Sequence, residues 1–361
     1  MLFEILQRLS RVHAQRDDME SAFRYSDEAG RIVGAVEPHS GSLHADFLNE
    51  RGMLETQAGR YQQSYASFAK ALPLALGATT PGDPRPGRIH HNLGGALYEL
   101  GRLEEAASEF AAAEVAFRRN TDSSELAANL IAARSAQGLV LRELRRLPEA
   151  RAVLDLGVRD ARRLYREPHP ALATIVNNLA LVEQDQKDYA GAETHFREVL
   201  QIDRAVSGER HADVASDLHN LAWFLHKYRG RSAEGEAVAR RAVAMRRDLL
   251  GPRHPQTLAS MRQLGDILSG RGEFAAALPL YREALRVQTE VLPKGHRLTL
   301  LSALSLGEAL TAVGQRAEAI RVLESALAQA PVATPPSRQR TDLEAALAKA
   351  RTPARTRAAG H

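Results

Sequence analysis

The stretch His254-Pro255-Gln256-Thr257-Leu258-Ala259-Ser260-Met261-Arg262-Gln263-Leu264-Gly265-Asp266-Ile267-Leu268 runs on through Gly270-Arg271-Gly272 to Ala277-Leu278-Pro279-Leu280-Tyr281, and its reading decides the fold. Apolar residues recur with helical period, a short glycine-rich turn interrupts them, and a second amphipathic stretch follows. Matching helix starts stand at His169-Pro170, His211-Ala212 and His296-Arg297, and the four starts are spaced by 42, 43 and 42 residues. A fixed period of this size marks stacked repeats, each burying its apolar face against its neighbours.

The register extends outward over the whole chain. A small residue recurs in the first helix of each unit: Ser10, Gly52, Gly94, Gly138, Ala180, Ala222, Gly265 and Gly307. A second small slot falls in the second helix, at Ala22, Ser64, Ala106, Ala150, Ala192, Gly235, Ala277 and Ala319. A third follows seven residues later, and between the two sits a bulky place held by Phe68, Phe110, Leu154, Phe196, Tyr281 and Leu323; Ser26 and Ala239 depart from it. Helices approach to about 8–10 Å only where the crossing side chains are small. A bulky neighbour then fills the hollow beside the crossing.

Leu93-Gly94-x-x-Leu97 followed by Ala106-x-x-x-Phe110 resembles the tetratricopeptide pattern. Leu264-Gly265-x-x-Leu268 with Ala277-x-x-x-Tyr281, and Leu306-Gly307-x-x-Leu310 with Ala319-x-x-x-Leu323, repeat it. That repeat usually has a period of about 34 residues. The longer period here adds roughly two helical turns. Tyr189-x-x-Ala192-Glu193-x-x-Phe196 and Arg246-Arg247-Asp248-Leu249-Leu250-Gly251-Pro252-Arg253-His254-Pro255 are similar to the kinesin-light-chain type. The expected fold is all-α: a right-handed superhelical solenoid of about eight helix-turn-helix repeats plus a C-terminal capping helix.

One solenoid is expected over residues 1–330, with units near 1–40, 41–80, 84–124, 125–167, 168–210, 211–253, 254–295 and 296–330. Turns within units are expected at Ala58-Gly59-Arg60, Leu100-Gly101-Arg102, Gly270-Arg271-Gly272 and Val313-Gly314-Gln315. Residues 79–87 read as a loop, and the proline-rich 331–336 as the end of the array. A capping helix is expected over 337–350 and a disordered basic tail over 351–361.

The resemblance implies that the first helices line a concave face that binds an extended peptide or protein segment. Just before the first small slot this face would present Asn49, His91, Asn92, Asn177, Asn178, His219, Asn220, Arg262 and Gln263. Further along the same helices come Trp223, the only tryptophan, and Tyr98. An asparagine amide both donates and accepts, so it can pair with a ligand backbone without demanding one side chain. In kinesin-light-chain-like repeats similar asparagines contact the bound peptide. The other reading of these amides is that they bond within the helix layer.

No catalytic residue, metal site or cofactor is expected. His169, His211, His254 and His296 share one slot in successive units. Packed helices lie about 8–10 Å apart and metal–nitrogen bonds are about 2 Å, so these four cannot share one metal. A hydrogen bond at the helix start or between repeats is the expected role. Gly270-x-Gly272-x-x-Ala275 mimics a dinucleotide fingerprint but stands between two helices instead of after a strand.

Composition agrees with an ordinary folded domain. The 361 residues are 44% apolar and 25% charged, with 5% aromatic and no cysteine. Disulfides and thiolate metal sites are thereby excluded. The formal charge is only +4, and of 48 basic residues just five are lysine. That bias reads as a GC-rich, bacterial genome. Bases scattered among acids, with few aromatics, disfavour nucleic acid as a partner. No apolar stretch approaches a membrane span, and a cytoplasmic protein is expected. The functional expectation is a non-enzymatic interaction scaffold. The alternative is a regulatory or sensor module of a signalling or defence system whose catalytic domain lies elsewhere.

Overall fold

The computed structural model describes residues 2–36, 41–78, 80, 82–118, 123–331 and 337–352. Among them are seventeen α-helices and no strand. In the N-terminal half these are α1 (Leu2–Gln15), α2 (Met19–Val36), α3 (Gly41–Gln57), α4 (Tyr61–Ala78), α5 (Arg85–Glu99), α6 (Leu103–Arg118), α7 (Ser124–Glu143), α8 (Leu147–Leu164) and α9 (Pro170–Asp185). There follow α10 (Tyr189–Ser207), α11 (Ala212–Arg229), α12 (Ser232–Leu250), α13 (Pro255–Gly270), α14 (Phe274–Val291), α15 (Arg297–Ala312), α16 (Arg316–Gln329) and α17 (Arg338–Arg351). The chain divides into two compact units, Met1–Glu198 and Val199–His361. In each, successive helices pair into hairpins and each hairpin packs on the next. Of the sequence expectations, residues 332–336 at the array's end, Thr79 and Pro81 of the loop, and the tail from 353 on lie outside the described residues. The loop is shorter than expected: α5 already begins at Arg85, with Pro86 in its first turn, where a missing N–H costs nothing. Arg351, expected in the tail, is the last residue of α17.

The register of small and bulky slots has a direct steric cause. A Cβ added to Gly52, Gly94, Gly265 or Gly307 would meet Phe68, Phe110, Tyr281 or Leu323 at 2.6–3.0 Å. The bulky side chain of the second helix therefore lies on the bare backbone of the first, and any larger residue there would force the hairpin open.

Helix starts and turns repeat as well. The Nδ1 atoms of His169, His211, His254 and His296 accept from the backbone N–H two residues on, at 3.2, 3.3, 3.2 and 3.2 Å. The histidine slot is thus an N-cap, satisfying an N–H that the helix leaves without a partner. The turn inside each hairpin has one left-handed residue. Glycine holds it at Gly59, Gly101, Gly230, Gly272 and Gly314, but Asp17, Arg145 and Lys187 adopt it at φ 61–67°.

One place in the seams between hairpins differs between the two units, while elsewhere the N-terminal seams carry charge as well: Arg134 of α7 donates to Glu114 of α6 at 3.0 Å and Arg151 of α8 to Glu183 of α9 at 3.1 Å. Each seam brings the residue four places beyond the third small slot toward the residue five places before the next unit's first small slot. In the N-terminal unit these pairs are Val33 with Phe47, Ala75 with Ile89, Phe117 with Ala133 and Ala161 with Ile175. In the C-terminal unit they are Asp203 with Asp217, Arg246 with Ser260 and Gln288 with Ser302. Arg246 donates to Ser260 Oγ at 2.7 Å and to the Gln256 carbonyl at 3.1 Å. Asp203 and Asp217 share a hydrogen bond, and burial followed by the Asp203 charge pushes Asp217 up to about 8. Gln288 and Ser302 are both fully buried, and neither side chain finds a hydrogen-bond partner among the described residues.

Candidate functional site

The first helices of the N-terminal unit line a cavity of 910 Å³. Its walls come from three rows one helical turn apart. The row before the small slot gives Gln7, Asn49, His91 and Asn92; the next gives Glu4, Asp46 and Arg88; the third gives Leu43, Arg85 and Asn129. Ile32, Met53 and Phe117 add apolar surface. Asn49, His91 and Asn92 are thus brought together, as the sequence register implies.

The polar groups of this cavity are held in defined states. Asn92 donates from Nδ2 to Asn49 Oδ1 at 2.9 Å, so the two amides form a rung between α3 and α5. Each keeps further capacity: an amide offers two donors and an acceptor with two lone pairs. His91 stacks edge-on against Phe110, with ring centroids 5.3 Å apart, and burial holds its pKa down, so the imidazole is neutral. Arg85 is clamped by Asp83 at 2.6 Å and also bonds Ser42. Burial pushes the Asp46 carboxyl up, while Arg85 and Arg88 oppose the shift. The site offers neutral amides over an apolar wall, with bases on the α5 side and acids on α1 and α3.

Farther along the N-terminal unit the candidates are tied into the helix layer. Asn178 donates to Ser135 Oγ at 2.9 Å on the neighbouring first helix, and Asn177 beside it is half-buried. Tyr98 donates to Glu143 Oε1 at 2.6 Å, and that bond raises its pKa to about 12.

The corresponding face of the C-terminal unit is laced to itself. Gln263 is only 4% exposed and donates to the His219 carbonyl at 3.0 Å, so it lies beneath the surface that the sequence reading assigned to it. His219 Nδ1 stands 3.0 Å from Ser260 Oγ; burial, then Arg246 and Arg262, hold its pKa down to about 3. Arg262 pairs with Asp266 at 2.5 Å. Trp223 is half-buried beside His226, with Lys227 over its ring at 5.9 Å, and Asn220 is exposed.

The sequence register points to the row just before the small slot and to Trp223 and Tyr98 beyond it, and leaves out the two rows on the N-terminal side. Asp46 and Arg88 lie six places before that slot, and Arg85 and Asn129 nine. They share the face because residues three and four apart stack along a helix, so extending the register would have found them. Among the described residues, no group of three or more His, Asp or Glu side chains could hold a metal ion. No described helix is long and apolar enough to cross a membrane.

Three family models, each described as tetratricopeptide repeat, match residues 74–124, 171–228 with 224–290, and 302–344, together more than half the chain. No curated protein matches. Among solved structures, the apo quorum sensor NprR from B. thuringiensis superposes with TM-score 0.60 at 14% identity, over 91% of this chain and 87% of that one. A Rap protein complexed with competence and sporulation factor gives TM-score 0.53 at 14% identity, over 97% and 99%. A point-substituted form of a putative kinesin light chain of Podosopora anserina, with nearly identical TPR-like repeats, gives 0.50 at 23% identity, over 55% and 93%. At these identities the likeness is one of fold.

Proposed function

This chain belongs to the tetratricopeptide repeat family, and from that premise we propose that it is a non-enzymatic scaffold binding an extended peptide or protein segment on its first-helix face. The observation that carries the reading is the 910 Å³ cavity on Asn49, His91 and Asn92. The Asn49–Asn92 rung can exchange bonds with a ligand's peptide groups, and the apolar wall can cover its side chains. Two proteins of similar fold carry names that fit, one a quorum sensor and one complexed with competence and sporulation factor. A cytoplasmic setting belongs to the same reading, and the cysteine-free sequence is compatible with it.

The test is a random peptide library selected on the chain, with affinities of the selected peptides read by fluorescence anisotropy. Asn49→Ala/Asn92→Ala should weaken binding about tenfold or more, two hydrogen bonds' worth, with helicity unchanged. Asn220→Ala should leave it alone. Equal affinity in the first variant and the wild type would remove the cavity from the account.

A further inference from the structure

In the first hairpin a serine stands where the repeat has its bulky residue. Phe68, Phe110, Leu154, Tyr281 and Leu323 each lie on the bare backbone of their hairpin's first helix. Ser26 holds that place on α2. The sixth hairpin departs as well, at Ala239, and there the two helices close up: a Cβ on Gly235 would meet the Ala222 carbonyl at 2.9 Å. The first hairpin has Ala22 where Gly235 stands, so its helices cannot close up in that way. Its core falls into two clusters, Phe3, Leu6, Ala29 and Val33 in one and Ala14, Ala22 and Leu54 in the other. A cavity of 200 Å³ between α1, α2 and α3 reaches members of both, with Ser10 and Ser26 in its wall. Gln7, Glu50 and Met53 line it and also the larger cavity on the Asn49–Asn92 rung, so the two adjoin.

We propose that this gap is the anchor subsite of the ligand: the segment bound on the rung carries a phenylalanine or leucine whose side chain enters the gap and completes the bulky slot. The inference rests on the peptide-binding reading and deepens it by naming the residue that the segment must carry. Size and register select the occupant. An apolar protein cavity of about 150 Å³ accepts a benzene ring, and this one has 200 Å³. Phe or Leu fills the corresponding place in five of the other hairpins, at Phe68, Phe110, Leu154, Phe196 and Leu323. The wall shared with the larger cavity suits entry. Met53 is unbranched and adaptable there. Gln7 Nε2 is buried without a hydrogen-bond partner among the described residues, and a carbonyl of the entering segment would give it one.

The test is a peptide library selected on the chain, read beside Ser26→Phe, which fills the gap from within. Peptides selected on the wild type should share a Phe or Leu. Replacing that residue by Ala should weaken binding about tenfold or more, the yield of burying such a side chain. On Ser26→Phe the parent and Ala peptides should bind alike, and the urea midpoint of the variant should rise, as for a filled cavity. Ser26→Leu repeats the comparison with the residue found at Leu154 and Leu323. Selected peptides that share no apolar residue, or an Ala replacement that costs as much on both variants as on the wild type, overturn the proposal and leave the peptide reading standing. A lower urea midpoint in both variants also overturns it, because the gap would then be closed to a side chain. A library that yields no binder removes the peptide reading, and the anchor with it.

Discussion

The two units use one repeat and fill one buried place of its seams differently, although both carry charged groups elsewhere in those seams, such as Arg134 with Glu114 in the N-terminal unit. In the N-terminal unit the pairs at that place are apolar throughout, ending with Ala161 and Ile175. In the C-terminal unit the same places hold Asp203 with Asp217, Arg246 with Ser260 and Gln288 with Ser302. The ligand-side faces diverge too. One opens into a cavity, while the other turns Gln263 to the His219 carbonyl and holds His219 beside Ser260, leaving Asn220 exposed. The backbone plan therefore sets where a seam lies but not its chemistry. An apolar seam stabilises by burial, at about 25 cal/mol per Å². A polar seam contributes little net stability but responds to protonation and to mispairing.

Moving a polar group into an apolar place of the N-terminal seams should have the largest effect. Ile175→Asp places a carboxyl at a fully buried site against Gly157. The loss of burial and the desolvation of the new group should cost about 4 kcal/mol or more, read as a lower urea midpoint in far-UV dichroism. A cost under about 1 kcal/mol would mean that the seams are interchangeable.

A smaller effect is expected from the acid pair. The folded state holds the Asp217 proton to a pH of about 8, against an ordinary carboxyl value of 3.8. Between those values the folded state binds more protons than the unfolded chain, so stability falls as pH rises through the window and levels off above it. Asp203 and Asp213 raise Asp217, while Arg204 opposes them. Asp217→Asn should flatten that slope, gaining stability at pH 8 and changing little at pH 4. The single Trp223 lies in this unit, so its fluorescence during urea unfolding reports the change. Parallel pH profiles in variant and wild type would place the dependence elsewhere.

The smallest expected change is a gain. Gln288 is fully buried with both amide atoms unpaired among the described residues. Gln288→Met keeps the volume and removes the desolvation penalty, so stability should rise by about 1 kcal/mol. Chemical denaturation of the pair of proteins decides it, and a loss instead would show that the amide is well used.

Most of the fold was legible because close packing writes itself into sequence. Gly265 recurs in register with Gly307, since each must admit the side chain of the second helix. The histidine slot was legible as a helix start. The turns at Arg145 and Lys187 were not, because a left-handed residue that is not glycine leaves no mark in composition. The site was legible by row: Asn49, His91 and Asn92 follow from register. Which rows stay open was not, because that depends on pairs formed across 43 or 44 positions, such as Asn178 with Ser135 and Gln263 with His219. The polar seams were in plain view at Asp203, Arg246 and Gln288, but they acquire meaning only when burial is known.

The most direct measurement is hydrogen exchange by mass spectrometry on the chain with and without a selected peptide. The account predicts added protection in Leu2–Gln15, Gly41–Gln57 and Arg85–Glu99, the helices around the Asn49–Asn92 rung. Protection confined to Ala212–Arg229 and Pro255–Gly270 instead would contradict it, and would assign binding to the face that is already bonded to itself.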